Sequence, residues 1–228
     1  NKMYAFFETY FPNAMAIPEE FVKATIETIY MTFWTAIISG FLGIFFGVLL
    51  VVTRPGGILE QKAIFVVLDQ IVNIVRSIPF IILLSLLVGF TRLIVGTSIG
   101  ATAALVPLIA GVIPFFARQI EIALLEVDPG VVEAAEAMGT SPFGIIFRVY
   151  LKEGLAGIIR VSALTIINVI GLTAMAGAVG AGGLGSLAVT RGYNRFQTDV
   201  TIVAMLIILV LVFISQAVSN LLIRKITH

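Results

Sequence analysis

Long apolar runs alternate with short polar breaks along this chain. A helix needs roughly 20 apolar residues to cross a bilayer core, and five runs fit that measure: about 26–52, 63–90, 98–116, 155–176 and 200–222. Thr53-Arg54-Pro55-Gly56-Gly57 closes the first, because Pro blocks helix continuation and Gly permits a reversal. The second run opens with Asp69, Asn73 and Arg76, so it is expected to start at the interface, with its apolar portion at about 78–90. The pattern predicts an all-α polytopic membrane protein with five transmembrane helices, one domain over 1–228. No internal repeat is visible, and an odd span number argues against a simple duplication.

The basic residues give an orientation. Arg54, Lys62, Arg76, Arg118, Arg148, Lys152, Arg224 and Lys225 fall on one side, and Lys2, Lys23, Arg92, Arg191 and Arg195 on the other, eight against five with Arg160 uncounted. This predicts an amino terminus outside, a carboxy terminus in the cytoplasm, and the break at about 118–154 on the cytoplasmic side. Near the amino terminus, Met3, Phe6, Phe7 and Tyr10 share a helical face. Either an aromatic stripe at the outer interface or a loose apolar terminus fits them.

The longest break contains "DPGVVEAAEAMGTSPFG", 128–144. Asp128-Pro129 reads as a helix start, with Asp capping free amides and Pro at the first helical position. Val131, Ala134, Ala135 and Met138 form one expected apolar face, with Glu133 and Glu136 on another. Gly139 is placed to end the helix in a left-handed cap, and Thr140-Ser141-Pro142 offers a second start. A helix this short is unstable alone in water and must pack on something. Both a groove on a partner and the chain's own spans suit its shallow alanine face.

Composition agrees with lipid as the solvent. Of 228 residues, 59% are hydrophobic and 12% charged, more apolar surface than a soluble domain of this size can bury. A net charge of +1 gives no reason to expect a nucleic-acid partner. No cleavable signal peptide is expected, since the first apolar run lies far in and has spanning length. With no Cys, one His (His228) and no carboxylate pair within a span, no catalytic or metal constellation is expected. The chain is not read as an enzyme.

Several residues carry two readings. Ser39, Gly43 and Gly47 leave one face of the first span nearly bare, which signals close helix packing. Trp34 is mid-span, with packing as its default. Pro79, Pro107 and Pro114 bend helices beside a passage or are ordinary membrane-helix irregularities. Asn168 and Thr173 serve as interhelical glue or line a passage, and Met175 is a gate or a packing residue. Asp69, Arg76, Arg160, Asp199 and Glu27 all sit near span ends, each expected to meet headgroups or another helix. "GAVGAGGLG", 177–185, lacks the Gly-Lys-Ser/Thr ending of a phosphate cradle and reads as a flexible turn or re-entrant connection.

"EAAEAMGTSPFGIIFRVYL", 133–151, resembles the EAA loop of ABC importer permeases: Glu-Ala-Ala, three residues, then Gly. "NIVRSIPFIILL" at 73–84, "FTRLIVGTSIG" at 90–100 and "AMAGAVGAGGLG" at 174–185 look like the methionine-uptake branch of those permeases. The resemblance covers about 73–185. It implies the type I importer fold and a coupling helix seated in a cleft of the ATP-hydrolysing subunit, with that role carried by Glu133, Ala134, Ala135 and Gly139, and by Met138 within the same helix. It also implies two copies of the chain, two ABC ATPase subunits holding ATP and Mg2+, and an extracytoplasmic binding protein or lipoprotein. The site is then a bacterial cytoplasmic membrane, the cargo an amino acid, methionine first, and the mechanism alternating access. In the family the glycine-rich run borders the outer mouth, and an Arg precedes Ser-Ile-Pro, which gives Arg76 an expected structural partner. Where the family has Leu-Pro about ten residues past the Gly, this chain has Leu151-Lys152, so the bend before the fourth span is not carried over. The rival readings are another small amino acid, a sulfur compound or a dipeptide as cargo; an ion-coupled carrier, which needs a titratable group near the midplane; and a structural scaffold.

Overall fold

The computed structural model describes residues 8–226, and their regular structure is helical throughout. Met3, Phe6, Phe7 and His228 lie outside the described residues, while Tyr10 is exposed. In order the helices are α1 Pro12–Met15, α2 Pro18–Thr53, α3 Lys62–Ser77, α4 Phe80–Leu86, α5 Val88–Val95 and α6 Ala101–Leu125. There follow α7 Pro129–Ala137, α8 Pro142–Ile145, α9 Leu151–Glu153, α10 Leu155–Ala176, α11 Gly183–Leu187 and α12 Thr198–Ile226. Wider π-type turns cover Ile146–Tyr150, Gly177–Ala181 and Ala188–Tyr193. Helices α1, α2, α7 and α8 each begin at a proline, where the missing N–H has no intrahelical partner to lose. Asp199 in the first turn of α12 and Arg224 and Lys225 in its last complement the helix dipole.

Among the described residues four helices are long and apolar enough to cross a membrane: Pro18–Thr53, Ala101–Leu125, Leu155–Ala181 and Thr198–Lys225. A fifth crossing exists only if the bent pair Lys62–Ser77 and Phe80–Leu86 counts as one span. The second expected span is therefore not one straight helix. Ile78 is extended (φ −79°, ψ 122°) ahead of Pro79, as the steric restriction on a residue before proline requires. Gly96, at φ 84°, then ends α5. The third span is longer than expected, and α6 continues through Pro107 and Pro114 to Leu125.

The described chain divides into two compact units, one of residues 1–36, 80–108 and 167–215, the other of 37–79, 109–166 and 216–228. In the first, Phe21 and Ala24 pack with Leu184, Leu187, Val200 and Ala204, and Met31 packs with Ala104, Leu108, Ala176 and Ala181. In the second, Val51 packs with Phe116, Ile120, Ala123, Leu124 and Ile158. The bare face of α2 is used there. A Cβ on Gly47 would stand 2.6 Å from Ile120 Cβ, and one on Gly43 2.6 Å from Phe116. Van der Waals packing of small residues replaces the hydrophobic drive that lipid removes. Trp34 is exposed on this chain and stands edge-on to Phe33.

Candidate functional site

Helix α7 is fixed at both ends by its own sequence. Asp128 Oδ1 accepts the Gly130 N–H at 2.8 Å, a cap of about 1 kcal/mol. At the other end the Thr140 N–H donates to the Ala135 carbonyl (3.0 Å) and the Gly139 N–H to that of Glu136 (2.9 Å), the paired bonds of a Schellman stop. Gly139 occupies the left-handed region, φ 74°, which a Cβ would strain. Ser141 Oγ then accepts the Gly144 N–H at 3.2 Å and starts α8.

The packed face differs from the expected one. Val132 and Ala135 are buried with Val127, Ile145 and Val149, and Ile58 packs against them. Val131, Ala134 and Met138 are exposed, Met138 at 77%. Of the four residues assigned to a common apolar face, only Ala135 is inward. The partners that select Val132 come from other elements, and helical spacing alone does not reveal them. The result is a helix anchored through one side and apolar on its open side. Phe143 and Phe147 are exposed as well.

Glu133 and Glu136 face another way. With Arg54, Pro129, Val132 and Tyr150 they line a groove of about 450 Å³ within the second unit. Burial pushes the Tyr150 phenol above its ordinary value, Glu136 adds to the rise, and Arg54 opposes it. Tyr150 is neutral at physiological pH and presents an O–H to this groove.

A second polar cluster in the same unit was not legible as a site. Arg118 binds Asp69 and Glu121, both at 2.5 Å, and Asn73 Oδ1 at 3.1 Å. Glu121 is buried. In the sequence Arg118 is only a positive charge for orientation, because its partner Asp69 is 49 residues away. Arg76, for which a partner is expected, is exposed, and its side chain makes no hydrogen bond or ion pair among the described residues. Among the described residues no group of three His, Cys, Asp or Glu is placed to hold a metal ion.

The passage candidates separate by unit. Asn168 and Met175 lie two turns apart on α10, Asn168 half-buried and Met175 exposed. Pro79 belongs to the other unit, exposed at the break before α4. The glycine-rich run is neither a free loop nor a nucleotide cradle. Val179 and Gly180 (φ 101°) break the helix, Gly182 and Gly183 are left-handed, and the short α11 follows.

Comparison with known proteins places this geometry. The family described as "Binding-protein-dependent transport system inner membrane component" matches residues 43–228. The methionine import system permease protein MetP of Bacillus subtilis is 47% identical over 215 residues, 94% of this chain and 96% of that protein. The probable D-methionine transport system permease protein MetI of Vibrio cholerae is 43% identical, covering 91% of this chain and 92% of its own length. A solved inward-facing conformation of the MetNI methionine ABC transporter is 42% identical with a TM-score of 0.91, over 93% of this chain and 99% of that one. An all-helical chain with several apolar helices, matched in sequence and fold over nearly all its length, belongs to the binding-protein-dependent transport system inner membrane components, the non-catalytic permease subunits of ABC importers.

Proposed function

We propose that this chain forms, as two identical copies, the membrane passage of an ATP-driven methionine importer. Two ABC ATPase subunits bind below, carrying ATP and Mg2+, and an extracytoplasmic binding protein delivers cargo from outside. The amino terminus is outside and the carboxy terminus in the cytoplasm, where the segment of about 118–154 meets the ATPases. The whole of 1–228 acts as one permease domain. Glu133, Ala134 and Met138 make the coupling contact, Ala135 seats the helix on its own chain and Gly139 sets its end, and Pro79, Asn168 and Met175 border the passage.

The observation that carries this reading is α7, held on one side by Val132 and Ala135 while Val131, Ala134 and Met138 stay exposed. A helix capped at both ends and seated on its own chain moves with that seat, so force applied to its open face reaches the second unit's packed core. The relatives named for methionine support the cargo. Burial of the exposed Met and two Phe rings against a partner supplies the contact energy, about 1.5–3 kcal/mol for each side chain fully covered.

The test is uptake in vesicles that hold this chain with its ATPase and binding protein. Methionine accumulates when ATP is present and fails to accumulate when the ATPase is hydrolysis-dead. Accumulation driven by an ion gradient in vesicles holding this chain alone would instead identify an ion-coupled carrier.

A further inference from the structure

Within the first unit, four sets of long-range polar contacts converge on the stretch that follows α10. The Asp199 carboxylate accepts the backbone N–H groups of Asn13 (2.8 Å) and Ala14 (3.0 Å) and the Asn13 side-chain amide (3.1 Å). Glu20 forms an ion pair with Arg191. Glu27 Oε2 accepts the Gly183 N–H at 2.7 Å, and Thr28 Oγ1 accepts the Leu184 N–H at 2.9 Å while donating to the Ala24 carbonyl.

The last pair differs in what it holds. Gly182 and Gly183 are left-handed, and α11 has five residues, too few to be stable alone. Its first amide groups are satisfied by two adjacent side chains of α2, 156 residues away. The fit is close: a Cβ on Gly182 would lie 2.5 Å from Glu27 Oε2, and one on Gly183 2.8 Å from Thr28 Oγ1. Lys23 Nζ lies 4.0 Å from Glu27 Oε1. On its other side the same turn presses onto α10. A Cβ on Gly185 would meet Ala174 Cα at 2.5 Å, and one on Gly177 the Ser186 nitrogen at 2.5 Å. Ala174 and Gly177 bracket Met175 in sequence.

We propose that Glu27, with Thr28, is a positioning clamp that seats the glycine-rich turn of 177–185 on α2 and thereby fixes the end of α10 that carries Met175. The inference rests on the transport reading for the consequence, but the clamp itself is a property of this chain. A charge-assisted bond from a carboxylate to a backbone amide is strong where water is scarce, so the turn stays registered on α2 while the passage changes state.

The test uses the reconstituted importer with its ATPase and binding protein. Hydrogen exchange over 180–187 is read with uptake per ATP hydrolysed, at matched membrane content. Glu27→Ala and Thr28→Val each raise exchange at their own amide, Gly183 and Leu184 respectively, by about tenfold. Both lower uptake per ATP. Glu27→Gln keeps a carbonyl acceptor and restores both readings. Unchanged exchange in both Glu27→Ala and Thr28→Val overturns the clamp, and faster exchange with unaltered uptake per ATP overturns its role in transport. A wild-type importer that fails to move methionine on ATP counts against the proposed function instead, and the exchange result still decides the clamp.

Discussion

Gly139→Pro is expected to abolish ATP-driven uptake, by tenfold or more, while the protein still reaches the membrane. Proline fixes φ near −65°, and Gly139 sits at φ 74°. It also removes the N–H that donates to the Glu136 carbonyl. The Schellman stop is then lost, and a misplaced proline of this kind costs about 3 kcal/mol. The chain can no longer reverse at Gly139, so α8 and its buried Ile145 no longer meet Val132 and Ala135. The damage is local to the segment proposed to take the load, since the apolar spans keep their packing. Gly139→Ala, which keeps the N–H and adds left-handed strain of about 1–2 kcal/mol, gives an intermediate loss. Uptake and ATP hydrolysis measured on the same vesicles check this. Hydrolysis that persists while uptake falls is the expected signature, and full uptake by Gly139→Pro would be incompatible with it.

Arg118→Leu carries the largest expected effect on stability. Glu121 is buried, and Arg118 is its ion-pair partner at 2.5 Å. Removing one member of a buried pair leaves an uncompensated charge and destabilises by about 3–5 kcal/mol. Asp69, with a quarter of its side chain exposed, still reaches a polar surrounding. The double variant Arg118→Leu/Glu121→Leu therefore recovers most of the loss, because neither buried charge remains. Thermal unfolding of the purified permease separates the cases. A single variant as stable as wild type, or a double variant less stable than the single, contradicts the assignment of this network as a structural lock between α3 and α6.

The difference between what the sequence disclosed and what it hid is a difference of range. Asp128-Pro129, Gly139 and Ser141-Pro142 act within three or four residues of themselves, and the structure realises each as a cap or a stop. The close approach promised by Gly43 and Gly47 is likewise present, because a missing side chain permits contact whichever neighbour arrives. Residues whose role depends on a distant partner were misread. Helical spacing favours Val131 over Val132, because the packing partners Ile58, Ile145 and Val149 lie on other elements. Arg118 was only a charge until Asp69 stood beside it, and Glu27 only a span-end carboxylate until Gly183 came within reach. The second span misled for another reason. Pro79 marks a bend there, but only the structure shows that the helix stops outright, with Ile78 extended and the flanking helices 104° apart. The EAA resemblance falls on this capped helix, but it does not tell which of its faces is free.

The central claim is that the open face of α7 is gripped by an ATPase, and a crosslink tests it most directly. Met138, 77% exposed on that face, is replaced by a photo-reactive residue in the assembled importer, with one at Val132 on the seated face as the control. The account predicts an adduct to the ATPase subunit from position 138, with little from 132. An absence of any adduct to the ATPase from position 138, in complexes that still hydrolyse ATP and import methionine, would contradict it.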